Sequence, residues 1–324
     1  MSEILFEGNS YGRAAQESVL DCLLRHGVAL EHSCKSGICQ SCMLQAVGGD
    51  LPPIAQTGLR DTHRSQGFFL ACSCLPEGDL EIVRVNGQGL KTPAVIDAID
   101  LLNETVARVR VQCHTPPEHR AGQFFNLVRP DGHVRSYSVA SVPQQDPFIE
   151  FHVARVEGGR MSTWLHEQAR PGDTLELMGP AGNCFYVPGD PGQPLLLIGT
   201  GTGLAPLYGI ARDALRQGHT GPIHLFSGSV TPRGLYLVDE LCALANAHAA
   251  FHYYPCVLRS EGAPGIHEAS IDTFALETTG PLKGWKIYLC GNPDIVRTLQ
   301  RKTFLAGASL GAIYADAFLP SPVG

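Results

Sequence analysis

The densest chemistry in this 324-residue sequence lies at 34–42, where Cys34, Cys39 and Cys42 stand in a CxxxxCxxC spacing within HSCKSGICQSC; FFLACSC follows with Cys72 and Cys74. Thiolates so spaced can hold a soft or borderline metal. A redox dithiol would need only Cys39 and Cys42, leaving Cys34 and the glycine turn without a purpose. Structural zinc usually takes paired short knuckles. Four residues, then two, with another Cys far downstream is the spacing that wraps a 2Fe-2S cluster. The neighbours Ser33, Ser36, Gly37 and Ser41 are small enough for backbone N–H groups to point at sulfur, and Gly37 can take a positive-φ turn.

Two further stretches are suited to phosphate and ring recognition. RSYS at 135–138 offers the planar charged fork of Arg135, the aromatic face of Tyr137 and the hydroxyl of Ser138. EGGRMSTWLHEQA reads as a glycine turn opening a helix, with Ser162 or Thr163 near its N-cap, where free N–H groups suit an anion. Further on, LLLIGTGTGLAPLYGIARDAL runs from a buried strand through a glycine turn into a helix, the context in which backbone amides approach a pyrophosphate. Cys290 sits between the strand KIYL and GNP, so it is either a buried small hydrophobe or a group beside a dinucleotide.

The rest of the composition narrows the class. The chain is 44% hydrophobic and 17% charged with a net charge of -7, which suits a globular protein and disfavours a nucleic-acid partner. No apolar run approaches the ~18 residues of a membrane span, and MSEILFEGNS lacks the parts of a signal peptide. These features point to the cytoplasm, with no membrane partner. Eleven cysteines, an odd number, argue there against a disulfide framework and for metal binding or packing. The thirteen histidines are scattered and lack the paired carboxylates of a non-haem iron site.

The elements that must position these groups fall into three segments. Residues 1–90 carry the strand EILFEG, the amphipathic helix SVLDCLLRHGV with Cys22 on its apolar stripe, the cysteine loop, and a closing strand LEIVRV. NGQGLKTP, Asn86 to Pro93, reads as a linker. From about Ala94 to 190 alternating runs separated by Gly, Pro and Asp turns predict an antiparallel barrel. Residues 191–324, with PIHLFSGSV and KIYLCGNP as further buried strands, predict a doubly wound parallel-sheet domain. The fold class is thus multidomain, α+β and α/β.

The first segment resembles a plant-type β-grasp ferredoxin, and the resemblance implies Cys34, Cys39, Cys42 and Cys72 as ligands of a 2Fe-2S cluster. The second and third resemble the ferredoxin-NADP reductase superfamily. There the RxYS element and the Gly/Ser turn imply a flavin, FAD ahead of FMN because these residues alone do not read flavin size, held by Arg135, Tyr137, Ser138, Gly159 and Ser162. The GTGxxP and CGxP motifs imply a nicotinamide dinucleotide at Gly199, Thr200, Gly201, Thr202, Gly203 and Pro206, and at Cys290, Gly291 and Pro293. YADAF at 314–318 resembles the closing acid-x-aromatic triplet of that superfamily, which implies Asp316 and Phe318 beside the flavin ring.

In order, the three segments resemble the reductase components of bacterial multicomponent oxygenases, such as naphthalene or benzoate dioxygenase reductases. The resemblance implies hydride transfer from NADH to FAD, then single electrons through the cluster to an oxygenase component or its separate ferredoxin. Ser138 and Asp316 would orient and balance protons, and Cys290 would position the nicotinamide. NADH is expected over NADPH, since after the second strand only Ser229 and Arg233 could meet a 2'-phosphate. A monomer suffices for this chemistry. The same domain order also serves deoxysugar dehydration; a stand-alone diaphorase and a zinc-binding dinucleotide sensor are the other readings.

Overall fold

The computed structural model describes residues 2–30, 32, 35, 37, 42–84 and 91–318. Cys34, Cys39, Ser33, Ser36 and Ser41 lie outside the described residues, as does the stretch 85–90 of the expected linker. The chain divides into two compact units, 1–88 and 89–324.

The first unit is a mixed sheet of β1 (Glu3–Phe6), β2 (Asn9–Gly12), β3 (Met43–Gly48), β4 (Phe68–Leu70) and β5 (Leu80–Arg84), in the order β2-β1-β5-β3-β4. In β1 the alternation of EILF buries Ile4 and Phe6. Helix α1 (Val19–Arg25) starts where the Ser18 side chain accepts the Asp21 N–H, with Asp21 in its first turn and Arg25 in its last, so charge and dipole agree. Cys22 lies fully buried in this core, as its place on the apolar stripe predicts. The short helix α2 (Asp61–Ser65) precedes β4.

The second unit begins with β6 (Lys91–Leu101). The expected start at Ala94 is therefore corrected: Lys91, Thr92 and Pro93 already pair with Met178, Leu177 and Glu176. Proline is tolerated in a strand where its missing N–H is not needed by a neighbour. With β7 (Val106–Gln112), β8 (Phe124–Val128), β9 (Val134–Ser138), β10 (Ile149–Ala154) and β11 (Thr174–Ala181) it makes an antiparallel sheet in the order β10-β7-β6-β11-β8-β9. A bridge between Val139 and Phe151 joins the two ends, which closes the sheet into a barrel around Phe125, Phe151 and Leu177.

The parallel sheet has the order β15-β14-β13-β12-β16-β17, from β12 (Leu195–Thr200), β13 (Ile223–Ser229), β14 (Phe251–Val257), β15 (His267–Glu268), β16 (Lys286–Gly291) and β17 (Ile313–Ala317). The chain order reverses between β12 and β16. Such a switch point opens a crevice at the carboxyl ends of the strands. Strand β12, LLLIGT, is buried from Leu195 to Gly199 because helices cover both faces of the sheet. Among the described helices, α3 (Arg160–Thr163) belongs to the barrel, and α4 (Leu204–Arg216), α5 (Val238–Ala247), α6 (Ile271–Thr279) and α7 (Pro293–Leu305) to the parallel-sheet lobe. Among the described residues no helix is long and apolar enough to cross a membrane.

Candidate functional site

In the first unit the pairing of Met43 with Leu70 carries Cys42 and Cys72 to the same end of neighbouring strands, and the Ala71 N–H donates to the Cys42 carbonyl at 3.1 Å. Gly37 has φ +76, and a Cβ there would stand 2.8 Å from Ser73 Oγ, so Gly37 itself lies close against the turn that bears Cys72. Cys74 is fully buried in the apolar core, and burial pushes its thiol up to about 12. Cys72 is partly exposed. Among the described residues, backbone pairing thus sets Cys42 and Cys72, two of the expected cluster ligands, on adjoining turns, while no group of three or more potential metal ligands comes together.

In the barrel, β9 pairs with β8 and carries Arg135 near its start and Tyr137 and Ser138 at its end. Tyr137 is packed against the barrel core, and burial raises its phenol above the usual range. The Gly/Ser turn differs from the expectation. Gly159, not Ser162 or Thr163, is the N-cap of α3, and it makes no side-chain cap bond. Ser162 is buried inside the helix, where its hydroxyl accepts the Val156 N–H at 3.2 Å and so closes the turn. A Cβ on Gly159 would lie 2.5 Å from that hydroxyl, which explains the glycine by space.

Three residues that the sequence motifs did not single out gather there. His133 is pushed down by desolvation first, then by the Arg160 charge, with Arg129 and Arg135 adding to it while Asp131 opposes. Arg129 donates to the Arg160 carbonyl at 3.2 Å, and both guanidinium groups pair with Asp131, at 3.2 and 3.6 Å, so this cluster beside the Gly159 turn holds two cations and the carboxylate they share. Spacing could not reveal it, because the hairpin loop between β8 and β9 supplies Arg129 and a distant turn supplies Arg160.

The two dinucleotide motifs interlock at the switch point. A Cβ on Gly203 would stand 2.3 Å from the Cys290 carbonyl oxygen, and one on Gly291, at φ +116, 2.5 Å from the Thr200 carbonyl oxygen. The Asn292 N–H donates to Thr200 Oγ1 at 3.2 Å. Asn292 also caps α7, accepting from the Asp294 and Ile295 N–H groups, with Pro293 at the first helical position. Gly199 packs under Leu207, while Gly201, at φ +54, faces open space, with nothing within 4 Å of where a Cβ would stand. Thr202 lies in the same short turn, Gly201–Gly203, and Pro206 sits in the buried first turn of α4.

Barrel and parallel-sheet lobe meet at one point that joins three motifs. Ser138 Oγ donates to Asp316 Oδ2 at 3.0 Å, and Asp316 pairs in register with Cys290 on the neighbouring strand. Burial raises Asp316 above the ordinary carboxylate range, and the Ser138 bond opposes that. Cys290 is raised strongly by burial, then by its contact with Cys184 and by the Asp316 charge. Phe318 is held at the end of β16, its N–H donating to the Gly291 carbonyl at 2.9 Å. Elsewhere the same junction is tied by the Arg212 fork to Asp146, both bonds 2.8 Å, and by buried His152, which bonds Tyr236 at 3.2 Å and Glu150 at 3.0 Å.

A β-grasp unit with a cysteine rim, followed by a barrel and a parallel-sheet lobe meeting at a Ser–Asp–Cys corner, defines an iron–sulfur flavoprotein oxidoreductase. The comparisons agree segment by segment: 2Fe-2S iron-sulfur cluster binding domain at 8–77, oxidoreductase FAD-binding domain at 93–186 and oxidoreductase NAD-binding domain at 197–301. The chain is 32% identical over 319 residues, covering 96% of each chain, to the naphthalene 1,2-dioxygenase system ferredoxin–NAD(P)+ reductase component of Pseudomonas putida. It is 32% identical to the aromatic O-demethylase reductase subunit of an Amycolatopsis species, covering 94% of this chain and 95% of that one. Among solved structures, the Amycolatopsis cytochrome P450 reductase matches with TM-score 0.69 and 29% identity over 99% of both chains. The ferredoxin reductase in carbazole 1,9a-dioxygenase matches with TM-score 0.65 and 28% identity over 98% of both. The chain belongs to the family of 2Fe-2S, FAD and NAD reductase components of oxygenase systems.

Proposed function

We propose that this reductase takes electrons from NADH and delivers them singly, by way of FAD and a 2Fe-2S cluster, to an oxygenase component or its separate ferredoxin in aromatic catabolism. It acts as a monomer in the cytoplasm. The observation that carries the reading is the Ser138–Asp316 bond beside Cys290, because it brings the flavin motif, the nicotinamide motif and the closing triplet to one corner.

The chain's own residues divide the work. Arg135, with Arg129 and Arg160, would hold the flavin pyrophosphate near Gly159 and Ser162; Tyr137 would cover the flavin ring. Gly199, Thr200, Gly201, Thr202, Gly203 and Pro206 would cradle the dinucleotide phosphates, and Gly291 and Pro293 would flank it. Ser138 and Asp316 would orient and balance a proton at the ring, Cys290 would position the nicotinamide, and Phe318 would stand by the flavin. Bound here, flavin supplies the conversion of a two-electron donor into single electrons. The reading of NADH over NADPH rests on GSVTPRGL, after β13, carrying one cation, the exposed Arg233; the second arginine next to this turn is Arg259, whose backbone N–H donates to the Val230 carbonyl at 3.1 Å. Residues 1–90 carry ten acidic and six basic side chains, which favours a basic docking face on the acceptor.

Cys34, Cys39, Cys42 and Cys72 would hold the cluster, with Cys74 kept in the core. Anaerobic titration with NADH, followed by visible and EPR spectra, tests the route and the ligands together. Wild type and Cys74→Ser should show flavin bleaching and the reduced-cluster EPR signal, and Cys72→Ser should show bleaching alone. A Cys74→Ser protein without cluster beside a Cys72→Ser protein with a normal one would overturn the ligand assignment. Flavin bleaching in wild type with an intact but unreduced cluster would overturn the route.

A further inference from the structure

Cys184 belongs to none of the cofactor motifs. It follows β11 in the barrel's GNCFYV segment, yet its side chain lies in the core of the parallel-sheet lobe with Leu207, Ile210 and Cys290. Its Sγ stands 3.6 Å from Cys290 Sγ, across 106 residues of sequence, and both residues are more than nine-tenths buried. Gly122 fixes the approach: at φ +94, a Cβ there would come within 2.2 Å of the Cys184 carbonyl oxygen. The pair therefore sits at van der Waals distance on two segments, one from each lobe, with Cys290 in register with Asp316, which Ser138 bonds.

We infer that Cys184 and Cys290 form a reversible dithiol–disulfide site, closed by hydrogen peroxide and opened by small thiols, that governs access of the nicotinamide to the flavin. Only ~1.5 Å of approach separates the pair from a disulfide bond of about 2.05 Å. The oxidation balances in two steps. One sulfur takes OH from the peroxide as the O–O bond breaks, and the displaced oxygen leaves as water with that thiol's proton. The second sulfur then attacks the sulfenic sulfur; the S–S bond forms, the S–O bond breaks, and a second water leaves with the second proton. Two electrons pass from the sulfurs to the two peroxide oxygens.

Burial and the Asp316 charge hold Cys290 protonated, so the site is slow near neutrality and quickens as pH rises, since thiolate is the reacting form. Closure would draw the Cys290 sulfur toward the barrel and tie β16 to the segment after β11. The expected loss of NADH oxidation rests on the nicotinamide role proposed for Cys290, whereas the cross-link itself does not.

The test uses the FAD-loaded full chain, treated with hydrogen peroxide at pH 7 and pH 9. Peptide mass spectrometry without reduction reads the cross-link, and NADH–ferricyanide activity reads electron entry ahead of the cluster. The expected result is a 184–290 cross-linked peptide that accumulates faster at pH 9. The rate should fall in proportion and FAD content should stay constant, with both changes reversed by dithiothreitol and absent in Cys184→Ala. Absence of that peptide from peroxide-inactivated wild type would overturn the site, as would equal, thiol-reversible inactivation of Cys184→Ala. A complete cross-link with an unchanged rate would overturn the control of nicotinamide access, and with it the nicotinamide role of Cys290.

Discussion

At the scale of single residues, Asp316 concentrates the tension of the candidate active corner. A buried carboxyl is disfavoured in its charged form, and one hydroxyl donor, Ser138, resists that. Because the folded-state pKa is raised, the group's contribution to stability is fully present below the ordinary carboxyl value of 3.8 and is lost as pH rises through the folded value. Asp316→Asn should therefore gain thermal stability over wild type from mildly acidic to neutral pH. The Ser138 bond favours the charged form, so Ser138→Ala should cost about 1–3 kcal/mol, more at pH 8 than at pH 4. Denaturation midpoints across that range check both signs. The types of these residues were legible from RSYS and YADAF; their meeting was not, since 178 positions separate them.

At the scale of elements, the turn after β12 and the turn after β16 behave as one joint. Gly203 lies against the Cys290 carbonyl with no room for a methyl, whereas Gly201 faces open space. Gly203→Ala should thus force the two turns apart, with a loss of stability of about 2–4 kcal/mol and a raised KM for NADH. Gly201→Ala should fold with a loss of about 1 kcal/mol from its positive φ, and its main effect should be on KM if the dinucleotide lies on this face as proposed. Thermal unfolding read beside steady-state NADH kinetics separates the two. The strand–turn–helix pattern of LLLIGTGTGLAP was plain in the sequence. Its lock onto CGNP depends on β12 and β16 being neighbours, which is a matter of sheet order.

At the scale of the whole molecule, the chain divides after residue 88, and every residue assigned to flavin and nicotinamide lies beyond that point. A fragment of 89–324 should bind FAD and oxidise NADH with ferricyanide, yet fail to pass electrons at a comparable rate to an oxygenase or ferredoxin acceptor. Adding back 1–88 as a separate chain should restore little, since an encounter replaces the effective concentration of a short tether. A fragment starting at 94 should be less stable, because it deletes the Lys91–Pro93 end of β6 and the Lys91–Glu176 ion pair. Stopped-flow reduction of the acceptor and thermal unfolding of the two fragments are the measurements. Acceptor reduction by 89–324 as fast as by the full chain would favour the diaphorase reading.

The sequence alone determined which groups could act, because thiol spacing, glycine turns and strand periodicity are local signals carried by neighbours in the chain. CxxxxCxxC, RSYS, GTGTGLAP and CGNP each announced a chemistry, and Cys22 announced its place in a core. Three matters needed the tertiary structure, because each depends on contacts between distant segments. One is the cluster of Arg129, Asp131 and Arg160, built from a hairpin loop and a helix start. Another is the cap of α3, where the motif pointed to Ser162 or Thr163 and the chain places Gly159, with Ser162 Oγ packed against it. The last is the meeting of Ser138, Asp316, Cys290 and Cys184, which no spacing rule reaches because barrel closure and parallel-sheet order bring them together.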